Sequence, residues 1–312
     1  MLKFSCHLLV LRVFISCVGL VGNVFLIFCI IQTKTSSIKT FELFLLGLAT
    51  ANLEEIAVVN IYDFVILQRS YVVWDVWLCR SLKFLMVLGE ISSILFTVLI
   101  GVYRYQKLRD ANKRLQIPIY LDNIRAARKV IQFSIGISIL LSAPVFSMEV
   151  PGPTGNLTGN HTWNQTGCQL DFFLCSSDRC PSMNRIYKYA FILLCYLLPL
   201  VVVTLTSCLI VAVLLGQRTA VKPVASVSGS TQTEGFRKVP RFHRSTVAVL
   251  AAMVLFQLDW TLYLVLQMVF NTTDFTFWIE LEFFLSTSYT SISPYALGIG
   301  KSFFAMKNFW KN

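Results

Sequence analysis

The sequence predicts an all-α membrane protein: a seven-transmembrane helix bundle with its N-terminus extracellular and its C-terminus cytoplasmic. Three observations predict it. First, 55% of the 312 residues are hydrophobic and only 14% charged, with mean hydropathy +0.66, whereas a soluble domain carries roughly 25% charged residues. Folding alone cannot hide that much apolar surface, which excludes a secreted enzyme, a nucleic-acid-binding domain and a disordered regulator. Second, the chain contains seven apolar runs, each matching the roughly 20 residues that a helix needs to cross a bilayer. Third, basic residues and glycosylation signals sort to opposite sides of those runs.

The first run, 8–31, is too long for the apolar stretch of a signal peptide and has no small-residue cleavage site after it, so it reads as a retained helix. Runs two and three, 41–67 and 78–102, follow after short connectors. Run four, 130–150, comes after a basic connector, and run five, 186–215, after a loop rich in Gly, Pro, Asn and Thr that should be irregular. Before run six, 245–270, lies the small polar stretch 226–235, which has no reason to fold. Run seven is 275–300. The chain therefore reads as a single transmembrane domain, 1–312, with two long loops, 151–185 outside and 216–244 inside.

Orientation follows from charge. The connectors after runs one, three and five and the tail hold nineteen of the 27 Lys and Arg residues, among them Arg104, Arg125, Arg128, Lys129, Arg241 and Arg244. The net charge of +11 is thus concentrated on the cytoplasmic side. The four Asn-x-Ser/Thr sequons, Asn156, Asn160, Asn164 and Asn271, all fall in loops that this orientation places outside, where such acceptors are modified. Nine cysteines without a CxxC pair form neither a disulfide scaffold nor a metal site. Cys79, at the outer end of run three, shares the oxidising side with Cys168, Cys175 and Cys180. Cys79 with Cys168 is the preferred pairing, and Cys175 and Cys180 are its alternatives.

Several landmarks resemble those of G-protein-coupled receptors. Arg104 lies 25 residues after Cys79, which carries a helix across the membrane. In Tyr103-Arg104-Tyr105 it resembles the Asp-Arg-Tyr motif of the third receptor helix, with Tyr103 in place of the acid. The structural alternative is a cation snorkelling to phosphate headgroups. Gly22-Asn23 resembles the first-helix pair. Leu48-Ala49-Thr50-Ala51-Asn52-Leu53 resembles the second-helix motif with Asn52 in place of aspartate. Pro199 is placed like the fifth-helix proline, Phe256 and Trp260 are spaced like the sixth-helix switch, and Ser293-Pro294-Tyr295 is a reduced seventh-helix motif. These departures point away from the rhodopsin-like mainstream to a divergent branch. The stretches 103–128 and 290–298 resemble the vomeronasal type-1 receptors and the fish olfactory receptor class A-like proteins, and the resemblance extends over the whole chain. Bitter taste receptors end run seven on a motif with a His-Ser pair, which this chain lacks.

The resemblance implies detection of a small odorant or pheromone at the plasma membrane, in the apical membrane of olfactory neurons. It also implies signalling through an inhibitory-type heterotrimeric G protein contacted by Arg104, Tyr105, Arg241 and Arg244, with no cofactor. The residues themselves suggest where a ligand binds, because ionisable groups inside spans usually face a cavity or one another. Glu90 lies 11 residues below Cys79, about 16 Å into the bilayer, on one face with Lys83 and Met86. Asp259 lies at similar depth in run six beside Trp260 and Tyr263, and Glu280 opens a stripe through Phe284 in run seven. These eight form the candidate ligand site. The alternative is that the acids only bond one another and fix helix packing. A transporter or channel also buries acids, but no repeat or broken span supports one. An enzyme is disfavoured because His7, His161 and His243 all lie outside the bilayer core.

Overall fold

The computed structural model describes residues 2–32, 39–67, 76–113, 120–147, 182–220, 241–269 and 278–301. Seven helices and no strand occur among them. They are α1 (Leu2–Ile31), α2 (Thr40–Leu67), α3 (Val76–Lys113), α4 (Ile124–Ser142), α5, α6 (Arg241–Val269) and α7 (Trp278–Lys301). The α5 rod runs through Ser182–Phe191, a π-helical turn at Ile192–Leu197, and Leu198–Ala220. The sequons, Cys168, Cys175, Cys180 and most of both long loops lie outside the described residues.

Six of the helices are long and apolar enough to cross a membrane. The exception, α7, carries Thr287, Thr290, Ser291 and Ser293, all buried. Its hydroxyls lower its apolar content, and they face the bundle interior. The outward faces are the reverse: Val10, Phe14 and Val21 of α1 are exposed, as expected where the solvent is hydrocarbon.

Neighbouring helices alternate in direction. Ser16 meets Asn60 and Asn23 meets Asn52 between α1 and α2, while Tyr196 packs on Trp260 and Thr204 meets Gln257 between α5 and α6. Such pairs, one index rising as the other falls, fix two ends of the bundle, one marked by Cys79 and the other by Arg104. The central helix is α3, which packs against α2, α4, α5 and α6. Gly89 permits its close approach to α2, since a Cβ there would lie 3.0 Å from the Glu55 backbone nitrogen.

α4 begins at Ile124, ahead of the apolar run read from 130. Asn123 caps it, its side chain accepting from the Arg125 N–H at 3.0 Å, so Arg125, Arg128 and Lys129 are helical rather than part of a connector. Ser134, Ser138 and Ser142 each donate to the carbonyl four residues back and line the buried face.

Candidate functional site

The local origin of the site is Pro199. Proline has no N–H to give to the carbonyl of Cys195 and its ring crowds that turn. The helix widens just before it, with the Leu198 N–H reaching Leu193 O in an i to i+5 bond. The widened turn carries Tyr196 into the bundle. Its hydroxyl donates to Glu90 Oε1 at 2.9 Å, and its ring stacks on Trp260 with centroids 4.8 Å apart. Tyr263 and Phe191 meet the same ring edge-on at 5.3 and 5.2 Å.

Above this aromatic cluster, toward the Cys79 end, lies a shallow, partly open recess. It is lined by Lys188, Phe191, Ile192, Tyr196, Tyr263 and Gln267. Gln267 Nε2 donates to the Tyr263 hydroxyl at 3.0 Å, and its own Oε1 is buried without a partner among the described residues. Three rings and a few polar groups give it an amphipathic lining, and in this conformation its enclosed space is about that of one water molecule.

The eight residues singled out in the sequence are dispersed by the structure. Tyr263 lines the recess, with Trp260 and Glu90 directly behind Tyr196. Lys83 and Met86 share a side of α3 with Glu90 but meet another neighbour. Lys83 is buried with its Nζ 5.9 Å from the Tyr62 ring of α2, and Met86 packs on Val58, Tyr62, Cys79 and Leu82. Asp259 points into the α6–α7 seam, where Ser288 donates to it at 3.1 Å. Phe284 is half-buried and edge-on to Phe283. The Glu280 side chain lies outside the described residues. Sequence reasoning missed Tyr196, Lys188 and Gln267. Pro199, three residues beyond Tyr196, was the one available signal.

One layer deeper, α1, α2, α3 and α7 share a polar network. Pro294 cannot donate to Thr290 O, so that carbonyl is open inside α7. Asn23 Nδ2 fills it at 2.9 Å. Asn52 Nδ2 donates to Asn23 Oδ1 and Ser293 Oγ, both at 3.2 Å, and Asn52 Oδ1 accepts from Ser93 at 2.7 Å. Thr97 and the Tyr289 hydroxyl lie 2.7 Å apart. Gly22 lets the Tyr295 ring approach, a Cβ there lying 2.6 Å from it, and the Tyr295 hydroxyl donates to Val18 O.

At the opposite end Arg104 is 7% exposed. Its guanidinium lies 3.5 Å over the Phe41 ring of α2 and donates to Ser245 Oγ of α6 at 2.6 Å. Tyr103, standing where an acid was expected, turns away and donates to Asp122 at 2.8 Å. Lys107 bonds both Asp122 oxygens at 2.9 Å. Partial burial opposes ionisation of Asp122, yet the hydrogen bonds from Lys107 and Tyr103, with the Lys107 and Lys39 charges, hold its carboxyl below the usual range. Tyr105 is half-buried beneath Arg109, and the Arg241 and Arg244 side chains lie outside the described residues.

This arrangement, an aromatic recess at one end, a clamped arginine at the other and a polar layer within the bundle, accompanies a family match. Residues 22–296 match the 7 transmembrane receptor (rhodopsin family). The chain belongs to that family. No curated protein matches it. The receptor keeps this membership although Asn52, Tyr103 and Ser293 depart from the motifs its sequence resembles, so the departures lie within the rhodopsin family. Members of that family are membrane signalling receptors rather than enzymes, which fits a plasma-membrane protein acting on a ligand and a heterotrimeric G protein. Cys79 of the receptor is disulfide-bonded, and its partner lies outside the described residues.

Proposed function

We propose that this receptor is chemosensory, binding a small odorant or pheromone in the recess between α5 and α6 and activating an inhibitory-type G protein at the Arg104 end. The observation that carries the reading is Tyr196. It forms a wall of the recess, stacks on Trp260 of α6 and holds Glu90 of α3. A ligand pressing on Tyr196 therefore acts on two helices at once. Those helices meet again where Arg104 of α3 bonds Ser245 of α6. A ligand that favours a rotated α6 shifts the equilibrium toward release of Arg104, by as much as its affinities for the two states differ.

In this reading the Cys79 end is extracellular, Cys79 pairs with Cys168 to tether the outer loop, and Asn156, Asn160, Asn164 and Asn271 carry glycans. Arg104, Tyr105, Arg241 and Arg244 face the G protein. The similarity of 290–298 to vomeronasal type-1 and fish class A-like receptors supports the ligand class and a place in olfactory neurons.

The test is a cell-surface screen against small amines, carboxylates and bile-type steroids with an inhibitory G-protein readout. An agonist found this way is expected to lose about tenfold or more in potency with Tyr196→Phe, which removes a buried hydrogen bond from the recess wall. Unchanged potency, with equal surface expression, moves the ligand site elsewhere.

A further inference from the structure

We propose that the first two turns of α4 are a docking surface for the headgroup of an anionic membrane lipid. Arg125, Arg128 and Lys129 stand at helical spacings of three and four, and all three are exposed. Gln132 shares their outward face. The same face then becomes apolar: Phe133 is 69% and Leu140 72% exposed, with Ile139 between them. The opposite face holds Ala126, Ala127, Ser134 and Ser138, buried against the bundle.

A single helix face thus passes from basic to hydrocarbon-facing within about one turn, roughly 5 Å. An ordinary solvated charge run has no such continuation. The border places three cations at headgroup depth, where anionic phosphates lie. The positive charge is not cancelled locally. Asp122, two residues before α4, is occupied by Lys107 and Tyr103. None of the three cations has an ion-pair partner among the described residues. The capped N-terminus of α4 adds the positive end of its dipole to the same patch. Zwitterionic lipid offers this patch no net charge, whereas phosphatidylserine does.

The inference rests on the reading that the Arg104 end is cytoplasmic, the leaflet where anionic lipids concentrate. Titrating lipid onto the full chain in detergent, read by native mass spectrometry, tests binding independently of orientation. Orientation is read separately from glycans on Asn156, Asn160 and Asn164. Wild type is expected to prefer phosphatidylserine over phosphatidylcholine, and to do so less as salt rises. The variant Arg125→Gln/Arg128→Gln/Lys129→Gln is expected to lose about tenfold of that preference, while Arg185→Gln, exposed on α5 at the other end, keeps it. Should the triple variant fail to fold, the three single variants each show a smaller loss in the same direction. A triple variant that keeps the full preference overturns the proposal. One that keeps it but loses G-protein coupling assigns the face to a protein partner instead.

Discussion

Asn23 shows how a single side chain closes a defect that another residue opens. Pro294 deprives the Thr290 carbonyl of its helical donor, and Asn23 supplies one while accepting from Asn52. Replacing it by the similarly sized Asn23→Leu strands a buried carbonyl and removes an acceptor from Asn52, at about 1–3 kcal/mol for each group left unsatisfied. The expected result is a clear fall in unfolding temperature of the purified chain in detergent, larger than for Thr50→Val. Thr50 is exposed on α2 and bonds only its own helix. Equal effects would mean that the network contributes nothing beyond local bonds. Part of this layer was legible in the sequence, as Gly22-Asn23, Asn52 and Ser293-Pro294-Tyr295, because these stretches resemble receptor-family motifs. Their pairing was not, because it joins separate helices, in the case of α7 positions more than 240 residues apart.

The elements divide in the same way. All seven spans were legible as apolar runs, although among the described residues only six helices are apolar enough to count as spans, the hydroxyls of α7 facing the bundle. The π-turn of α5 was hidden, since no pattern of side chains encodes a widened turn, although Pro199 marks its cause. That single turn decides which residue of α5 enters the site. The start of α4 was also misplaced, because its first turns are charged and only the Asn123 cap shows that they are helical. The junction between α3 and α4 is set by Asp122, whose carboxyl is held below its ordinary value by Lys107 and Tyr103. A group depressed in the folded state stabilises above its unfolded value, about 4, and that contribution disappears as pH falls through the folded value. Asp122→Asn is therefore expected to lower the unfolding temperature at pH 7 and to approach wild type near pH 3. A deficit equally large at both values would show that the side-chain shape, not its charge, holds the junction. The half-exposed pair makes a small effect the expectation.

At the scale of the whole molecule, the bundle is a closed conformation. Arg104 is buried between Phe41 of α2 and Ser245 of α6, so the G-protein contact proposed for it requires α6 to move. The charged residues that the sequence suggested as one ligand site lie in three places, because a helical face says which residues align and not which neighbour they meet. Lys83 faces α2, Asp259 faces α7 and Glu90 faces Tyr196. The last of these contacts is the one that joins the proposed path from the recess to Arg104. The most direct test of that path is agonist-evoked G-protein activation by Arg104→Ala beside wild type, in cells matched for surface expression. The expected result is a receptor that reaches the surface and still binds agonist but no longer signals. Signalling equal to wild type would contradict it and leave Arg104 as a helix-end cation that only anchors α3.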